Sequence, residues 1–337
     1  MNKRGVLTFT AAVLALAACV YINLITGTVK LTGNEVLSIL TGSLKDPLKE
    51  SVLINIRLPR VAAGIISGGA LALSGYLLQT FFDNPIVGPF VLGISSGAKL
   101  TVALALILML KGGVATGSLY LVGAAFIGAM AVMGFVLLMS LKVRTMSILV
   151  VCGIMTGYIC SAITDLVITF ADDSNIVNLH NWSMGSLSGM SREDIRIMAV
   201  ITLICLAGSL LIIKPLGAYR LGEAYAAGGG VNITLLRICL ILISSLLAAC
   251  VTAFAGPISF VGIAVPHLMK NLTGTGRPSV MIPGCFLLGA LVTTACDLAA
   301  RSLFAPSEVS ISSVTAVFLV PVIIAIMMGR RKRLDRE

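Results

Sequence analysis

Residues 57–98 read RLPRVAAGIISGGALALSGYLLQTFFDNPIVGPFVLGISSGA. The centre of this stretch, residues 61–80, carries no charged side chain and lies between Arg60 and Asp83. An α-helix of about 20 apolar residues crosses the hydrocarbon core of a membrane. Gly64 and Gly68 have the small-xxx-small spacing that lets membrane helices approach each other closely. The stretch therefore predicts a membrane-spanning helix that packs tightly against its neighbours.

The composition extends this interpretation to the whole chain of 337 residues. Hydrophobic residues make up 58% and charged residues 11% of the sequence, whereas a soluble domain carries roughly 25% charged residues. This excludes a soluble enzyme, a disordered chain and a nucleic-acid-binding protein, despite the net charge of +10. The apolar runs are continuous, which excludes a membrane β-barrel because its strands alternate in polarity. We expect an all-α, polytopic membrane helical bundle in which residues 1–337 form a single domain.

The apolar segments predict about ten transmembrane helices. They cover residues 5–25, 61–80, 94–110, 118–141, 146–170, 195–213, 233–254, 258–272, 280–303 and 311–328. The eighth is short and contains Pro266, so it need not cross the membrane fully. The first contains Leu16-Ala17-Ala18-Cys19, which resembles a lipoprotein cleavage site, but its apolar run continues to Ile25. We therefore interpret it as the first span.

The charges predict an orientation and a few internal contacts. With ten spans, Lys and Arg are more numerous in the loops on the side that holds both termini, which places the termini in the cytoplasm. Asp165 either faces the bundle interior or lies near the outer edge of its span. Asp297 and Arg301 are four residues apart, so they can pair on one helix face. Lys99 lies inside the third segment.

Several chemistries have no motif in this sequence. No Walker A phosphate-binding motif occurs. The eight cysteines are scattered singly in apolar runs, and His180 and His267 have no carboxylate or thiol neighbour in sequence. We therefore predict no catalytic residues, no metal site and no cofactor in this chain, which is not itself an enzyme.

Six groups of residues, two of them within residues 57–98, carry a resemblance that runs along nearly the whole chain. They are Arg57-Leu58-Pro59-Arg60 with Gly68–Gly75, Gln79–Pro85 with Leu92–Ala98, Asn181–Leu187, Leu221-Gly222-Glu223 with Ala226 and Val231-Asn232, Gly256–Gly262 with Val265-Pro266-His267, and Asp297–Arg301. In this order they strongly resemble the FecCD-type permease subunits of ABC importers for iron–siderophores, haem and vitamin B12.

The resemblance implies a type II ABC importer permease with ten spans per subunit. It implies a permease dimer, made with a second copy or a paralogue, and two ABC ATPase subunits on the cytoplasmic face that hydrolyse ATP. It also implies an extracytoplasmic substrate-binding protein and a location in the bacterial cytoplasmic membrane. The expected function is translocation of an iron–siderophore by alternating access, with haem or cobalamin as the alternative cargo. An ion-coupled secondary transporter is a remote alternative, since it needs paired ionisable residues near the midplane.

Roles for individual residues follow from the same resemblance. Arg57, Arg60 and Arg301 match outer arginines that receive carboxylates of the binding protein, and a guanidinium suits bidentate bonding to a carboxylate. For Arg57 and Arg60 the alternative is positioning of the second span at the lipid interface.

The segment 214–237 resembles the coupling helices that dock into the ATPase, and its expected contact residues are Leu221, Gly222, Glu223 and Ala226. An ordinary loop is the alternative.

A gate and pathway are expected from the remaining matches. Thr145, Met146 and Ser147 correspond to the cytoplasmic gate of the family, with an ordinary turn as the alternative. The Gly- and Pro-rich stretches that contain Asn84-Pro85 and Gly256-Pro257 resemble segments beside the pathway, with helix-end packing as the alternative. Ser310 and Ser312 stand where the family pattern has Pro and Gly, so the start of the last span is expected to bend differently.

Overall fold

The computed structural model describes residues 3–43, 46–111, 118–143, 145–303, 305 and 307–334. These residues form α-helices joined by short loops, and they contain no β-strand. The helices are α1 Lys3–Ile25, α2 Gly33–Leu40, α3 Pro47–Ser51, α4 Leu58–Phe82, α5 Ile94–Lys111, α6 Ser118–Lys142, α7 Met146–Ile168, α8 Asp173–Ser183, α9 Arg192–Leu211, α10 Ile213–Tyr219, α11 Glu223–Gly228, α12 Ile233–Ala255, α13 Val261–Thr273, α14 Pro278–Ser302 and α15 Ile311–Leu334. A π-helical turn, Val52–Arg57, joins α3 to α4 without a break.

Each of the ten predicted apolar segments is helical. Among the described residues, seven helices are long and apolar enough to cross a membrane: α1, the continuous α3–α4 rod, α6, α7, α9, α12 and α14. Among the residues whose side chains the structure describes, α5 and α15 contribute the apolar stretches Ile94–Ile107 and Ile311–Ile326. The eighth segment forms the 13-residue α13, which spans about 20 Å and is too short for a core about 30 Å thick. The all-α membrane bundle is therefore confirmed.

Side-chain caps mark where several helices begin. Thr32 and Glu35 form a capping box at α2, and Ser191 and Asp194 form another at α9. The ammonium of Lys49 lies 2.6 Å from the Glu35 carboxylate. The hydrogen bond from Lys49, together with those from Thr32, lowers the pKa of Glu35 to about 2. These capping and ion-pair contacts lie outside the apolar spans, at positions where water competes with them for the backbone groups.

Helix α4 is the centre of the bundle. It packs against α14, α12 and α13, and its side chains from Ser67 to Leu78 are buried without exception. Gly68 lies directly against the backbone of Gly289 in α14, and Gly75 lies against the backbone of Gly262 in α13. A methyl group at any of these positions would overlap a neighbouring atom. Gly68 and Gly75, both within residues 57–98, are therefore the points at which α4 contacts α14 and α13.

Residues 256–260, between α12 and α13, cross part of the bundle without helical hydrogen bonding. Other elements bond the backbone around them: the amide of Ser186 donates to Ala255 O, the hydroxyl of Ser312 donates to Pro257 O, and Gln79 Nε2 donates to Gly262 O. Irregular backbone at membrane depth requires such partners because no water is available there.

The bundle has two ends, which we name after its arginines and after the predicted coupling segment. The arginine end holds Arg60, at the start of α4, and Asp297, near the end of α14. The coupling end holds α10 and α11, and α4 separates the two by about 37 Å. The N-terminal turn of α1 lies at the coupling end, since Arg4 donates to the carbonyl oxygens of Asn271 and Leu272 at 2.9 Å each.

Helices at the periphery leave apolar side chains exposed, most of all on α1, α7 and α9. Asp165 is exposed and lies three residues before the end of α7, which agrees with the helix-edge alternative for this residue. Lys99 is half-buried in α5.

Replacing Gly68 by alanine should destabilise the bundle by about 1–3 kcal/mol, because the added methyl group overlaps the backbone of Gly289 and forces α4 and α14 apart. The matched control is Gly134→Ala in α6, where no atom lies within 4 Å of the added Cβ. Unfolding of the two purified variants in detergent, followed by circular dichroism, measures the difference. Equal stabilities would contradict the close packing described here.

Candidate functional site

The arginine end is built around one guanidinium. Arg60 Nε lies 3.0 Å from Asp297 Oδ2, and its Nη2 donates to Asp297 Oδ1 at 3.0 Å. Its Nη1 donates to Glu308 Oε1 at 2.9 Å, from the loop before α15. Arg60 therefore holds α4, α14 and the start of α15 together through two carboxylates.

The other two arginines of the predicted docking set face the end of α1. Arg57 is 5% exposed, and its guanidinium donates to the carbonyl oxygens of Leu24 and Val29. Arg301 Nη2 donates to Asn23 O at 2.7 Å, and its Nη1 donates to Thr26 O at 3.1 Å. The last carbonyls of a helix lack intrahelical donors and carry partial negative charge. Arg57 and Arg301 satisfy carbonyls of the last turn of α1 and of the loop after it, and they fix α1 against α4 and α14.

Asp297 and Arg301 do not form the ion pair that the sequence allowed as an alternative. Asp297 is engaged by Arg60 from the neighbouring helix, and the end of α1 offers Arg301 carbonyl oxygens instead. The sequence reasoning also missed Asn23, which is buried, accepts from Arg301 through Oδ1 at 2.8 Å and donates to Cys19 O at 2.9 Å. The available signal was an amide side chain near the end of an otherwise apolar run.

A cavity of about 160 Å³ adjoins Arg60 at the arginine end. Both carboxylates line it, as do Asn181 and Ser310. The cavity thus presents hydrogen-bond donors and acceptors next to the ion-pair cluster of Arg60, Asp297 and Glu308.

At the coupling end, α10 and α11 form a short two-helix projection. Leu221 and Tyr225 are 70% and 64% exposed, and all residues of 221–230 except Ala226 are exposed. Gly222 has a φ of +123°, which makes the turn between the two helices. Tyr225 was not among the predicted contact residues, and it is exposed on the same projection as Leu221.

Two of the predicted coupling residues connect the projection to the bundle. Glu223 accepts from Arg237 Nη2 at 2.7 Å and 2.9 Å, which ties α11 to α12. Ala226 is fully buried, so its side chain lies inside the fold. The hydroxyl of Tyr219 donates to Phe81 O at 3.2 Å, which ties α10 to the last turn of α4. Burial raises the pKa of Tyr219 and keeps this donor protonated.

A cavity of about 440 Å³ lies between this projection and the ends of the spans. It brings together residues that were predicted separately, as gate or as coupling residues: Asn84, Pro85, Met146, Gly222 and Glu223. His267 also lines the cavity, and its Nε2 lies 3.0 Å from Pro85 O.

The remaining gate and pathway residues lie elsewhere. Thr145 and Ser147 are exposed at the start of α7 and do not line this cavity. Gly256 and Pro257 follow α12 and contact Trp182, Gly185 and Ser312 instead. The structure therefore separates the two Gly- and Pro-rich stretches into different regions of the bundle.

Metal-binding groups do not cluster in the part of the chain that the structure describes. No three His, Cys, Asp or Glu side chains there are placed to hold an ion. All eight cysteines are free thiols, and most of them are buried.

Comparisons with known proteins agree with this architecture. A model of the FecCD transport family matches residues 15–329. The vitamin B12 import system permease protein BtuC of Klebsiella pneumoniae is 32% identical over 82% of each chain. The hemin transport system permease protein HmuU of Yersinia pestis is 32% identical over 84% of each chain.

Among solved structures, an inward-facing conformation of a metal-chelate type ABC transporter superimposes with a TM-score of 0.84. It is 28% identical in sequence, and the match covers 96% of this chain and 99% of that chain.

Replacing Asp297 by asparagine should cost about 3 kcal/mol of stability, because it leaves the Arg60 guanidinium with only the more exposed Glu308 as a counter-charge. The exposed Asp173→Asn, at the start of α8, is the matched control. Thermal unfolding in detergent compares the two variants. If both variants lose the same small amount of stability, the buried ion pair does not hold α4 to α14.

Proposed function

Because this chain belongs to the FecCD transport family of ABC importer permeases, we propose that it carries an iron–siderophore complex across the bacterial cytoplasmic membrane. The observation that carries the mechanism is the projection at the coupling end, whose exposed Leu221 and Tyr225 stand beside a cavity lined by span ends. The metal-chelate type transporter with the same fold supports the class of cargo.

In the proposed complex, the chain pairs with a second permease subunit and with two ABC ATPase subunits. The ATPases bind the projection at the coupling end, which then lies in the cytoplasm together with both termini. A substrate-binding protein docks at the opposite, arginine end. The permease itself breaks no bond; it alternates between outward-open and inward-open states while the ATPases hydrolyse ATP.

The contacts at the coupling end give a physical route for this movement. A displacement of α11 acts on α12 through the Glu223–Arg237 ion pair, and a displacement of α10 acts on α4 through the Tyr219–Phe81 hydrogen bond. Both contacts border the cavity of about 440 Å³, so closure of the ATPases changes its walls directly.

At the arginine end, the structure favours Arg60 as the residue that meets the binding protein. Its partner Glu308 is about half-exposed, whereas the guanidinium of Arg57 is directed to the backbone of α1 and its neighbouring loop. Arg57 and Arg301 then act indirectly, by fixing α1 beside the docking surface and by adding positive charge to it.

A haem or a cobalamin is the second candidate cargo. The 32% identical relatives HmuU and BtuC are named for the transport of hemin and of vitamin B12. These cargoes share the large, polar-edged character of a metal chelate, and the machinery that moves them is the same.

Proteoliposomes that contain the permease and its ATPase should accumulate cargo only under two conditions. ATP must be present in the compartment that the ATPase faces, and a loaded binding protein must be present outside. Uptake of ⁵⁵Fe-labelled siderophores, haem and cobalamin by the same preparation decides between the cargoes. Uptake driven by an ion gradient without ATP would contradict the proposed function.

Replacing both Leu221 and Tyr225 by alanine should lower ATP-dependent uptake at least tenfold, because it removes the exposed apolar side chains of the projection. The stability of the permease should stay within about 0.5 kcal/mol, since both side chains are exposed.

The matched control removes two exposed leucines of α2, Leu37 and Leu40, which lie far from the projection. Co-purification of the ATPase with each variant is the direct measurement. Full retention of the ATPase by the Leu221, Tyr225 variant would rule out the projection as its docking site.

A further inference from the structure

The two carboxylates on Arg60 differ in how readily they can be replaced. The Asp297 side chain is 4% exposed and binds Arg60 through both oxygens, whereas the Glu308 side chain is 48% exposed and binds through one. Asp297 lies on a buried helix face, while Glu308 lies in the loop that leads to α15. Glu308 is therefore the partner that an incoming group can displace without disturbing the core.

The charges around this contact favour an incoming carboxylate. Arg301 lies in the same cluster, within electrostatic range of Arg60, Asp297 and Glu308, and Arg57 lies within electrostatic range of Arg301. Three guanidinium groups thus lie near two carboxylates, both of which are bonded to Arg60, and this leaves a positive excess at this end. The adjoining cavity of about 160 Å³ leaves room for one more acidic side chain.

We propose that Glu308 occupies, on Arg60, the position that a carboxylate of the binding protein takes during docking, and that docking displaces it. This inference rests on the proposed function, because it concerns the regulation of the same docking surface. Glu308 then acts as an internal competitor. It satisfies Arg60 in the undocked permease and lowers the affinity of the permease for the binding protein.

Displacement of Glu308 has a path into the bundle. Three residues after Glu308, α15 begins at Ile311, and in its first turn the hydroxyl of Ser312 donates to Pro257 O. Pro257 belongs to the irregular stretch 256–260, whose first residue, Gly256, lies against Trp182 and Gly185. A shift of the loop at Glu308 therefore moves the start of α15 relative to this stretch.

The first test compares Glu308→Gln with Glu193→Gln in the complete complex with its ATPase in nanodiscs. Glu193 is an exposed acid at the start of α9 without an ion pair among the described residues, so it controls for the loss of one negative charge. The probe is the binding protein that supports uptake in the proteoliposome experiment. E308Q should bind it about fivefold more tightly, the value of one partly exposed ion pair, and E193Q should not.

A double variant tests whether the competition takes place at Arg60. In an Arg60→Gln background, E308Q should give no further gain in affinity, because the contested guanidinium is gone. Equal affinities of the wild type and E308Q for the binding protein would overturn the competition. Equal gains in affinity in E308Q and E193Q would overturn it as well. Both outcomes leave the proposed function standing. If no binding protein supports ATP-dependent uptake by the wild type, the proposed function fails and this inference fails with it.

The second test separates docking from its transmission. Ser312→Ala should keep the affinity for the binding protein but at least halve the stimulation of ATP hydrolysis by docking. Ser313→Ala, which leaves the Ser312–Pro257 contact intact, should keep both. Unchanged stimulation in S312A would overturn the route through α15.

Discussion

Backbone contact between α4 and its neighbours is the constraint on which the rest of the structure depends. Gly68 against Gly289 and Gly75 against Gly262 bring the helices closer than any side chain would permit. In a membrane, apolar side chains gain little from association with each other, and close packing takes over as the attraction. α4, α13 and α14 therefore form one unit, and α12, which is also largely buried, packs against α4.

This unit connects the two functional ends of the molecule. α4 starts at the ion-pair cluster of Arg60 and ends where Phe81 accepts from Tyr219 of α10. α14 likewise carries Asp297 at one end and begins beside the turn at Gly276, where Arg220 donates to the carbonyl oxygen. Events at the arginine end and at the coupling end thus act on the same pair of helices.

The sequence predicted the architecture well because hydropathy and small-residue spacing are local signals. The ten apolar segments, the short eighth segment and the close packing at Gly64–Gly68 all depend on residues near each other in the chain. The family resemblance, read from motifs, is confirmed by a match over residues 15–329.

The errors concern contacts between distant residues. Arg301 bonds to Asn23 and Thr26, about 275 positions away, rather than to Asp297 one turn before it. The sequence could place Asp297 and Arg301 on one helix face, but it could not show that α1 ends beside that face with unsatisfied carbonyls. The burial of Ala226 and the exposure of Tyr225 likewise depend on tertiary packing, which the sequence does not show.

The burial of α4 also has a consequence for biosynthesis. The α3–α4 rod has the lowest mean hydropathy of the seven candidate spans in the described part of the chain, since its surface is rich in Gly, Ala and Ser. Its principal partner α14 begins at Pro278, about 200 residues later. At a synthesis rate of about 5–20 residues per second, the nascent helix waits roughly 10–40 s for that partner. Throughout this interval lipid, the translocation machinery or earlier helices must cover a surface that was shaped for another helix.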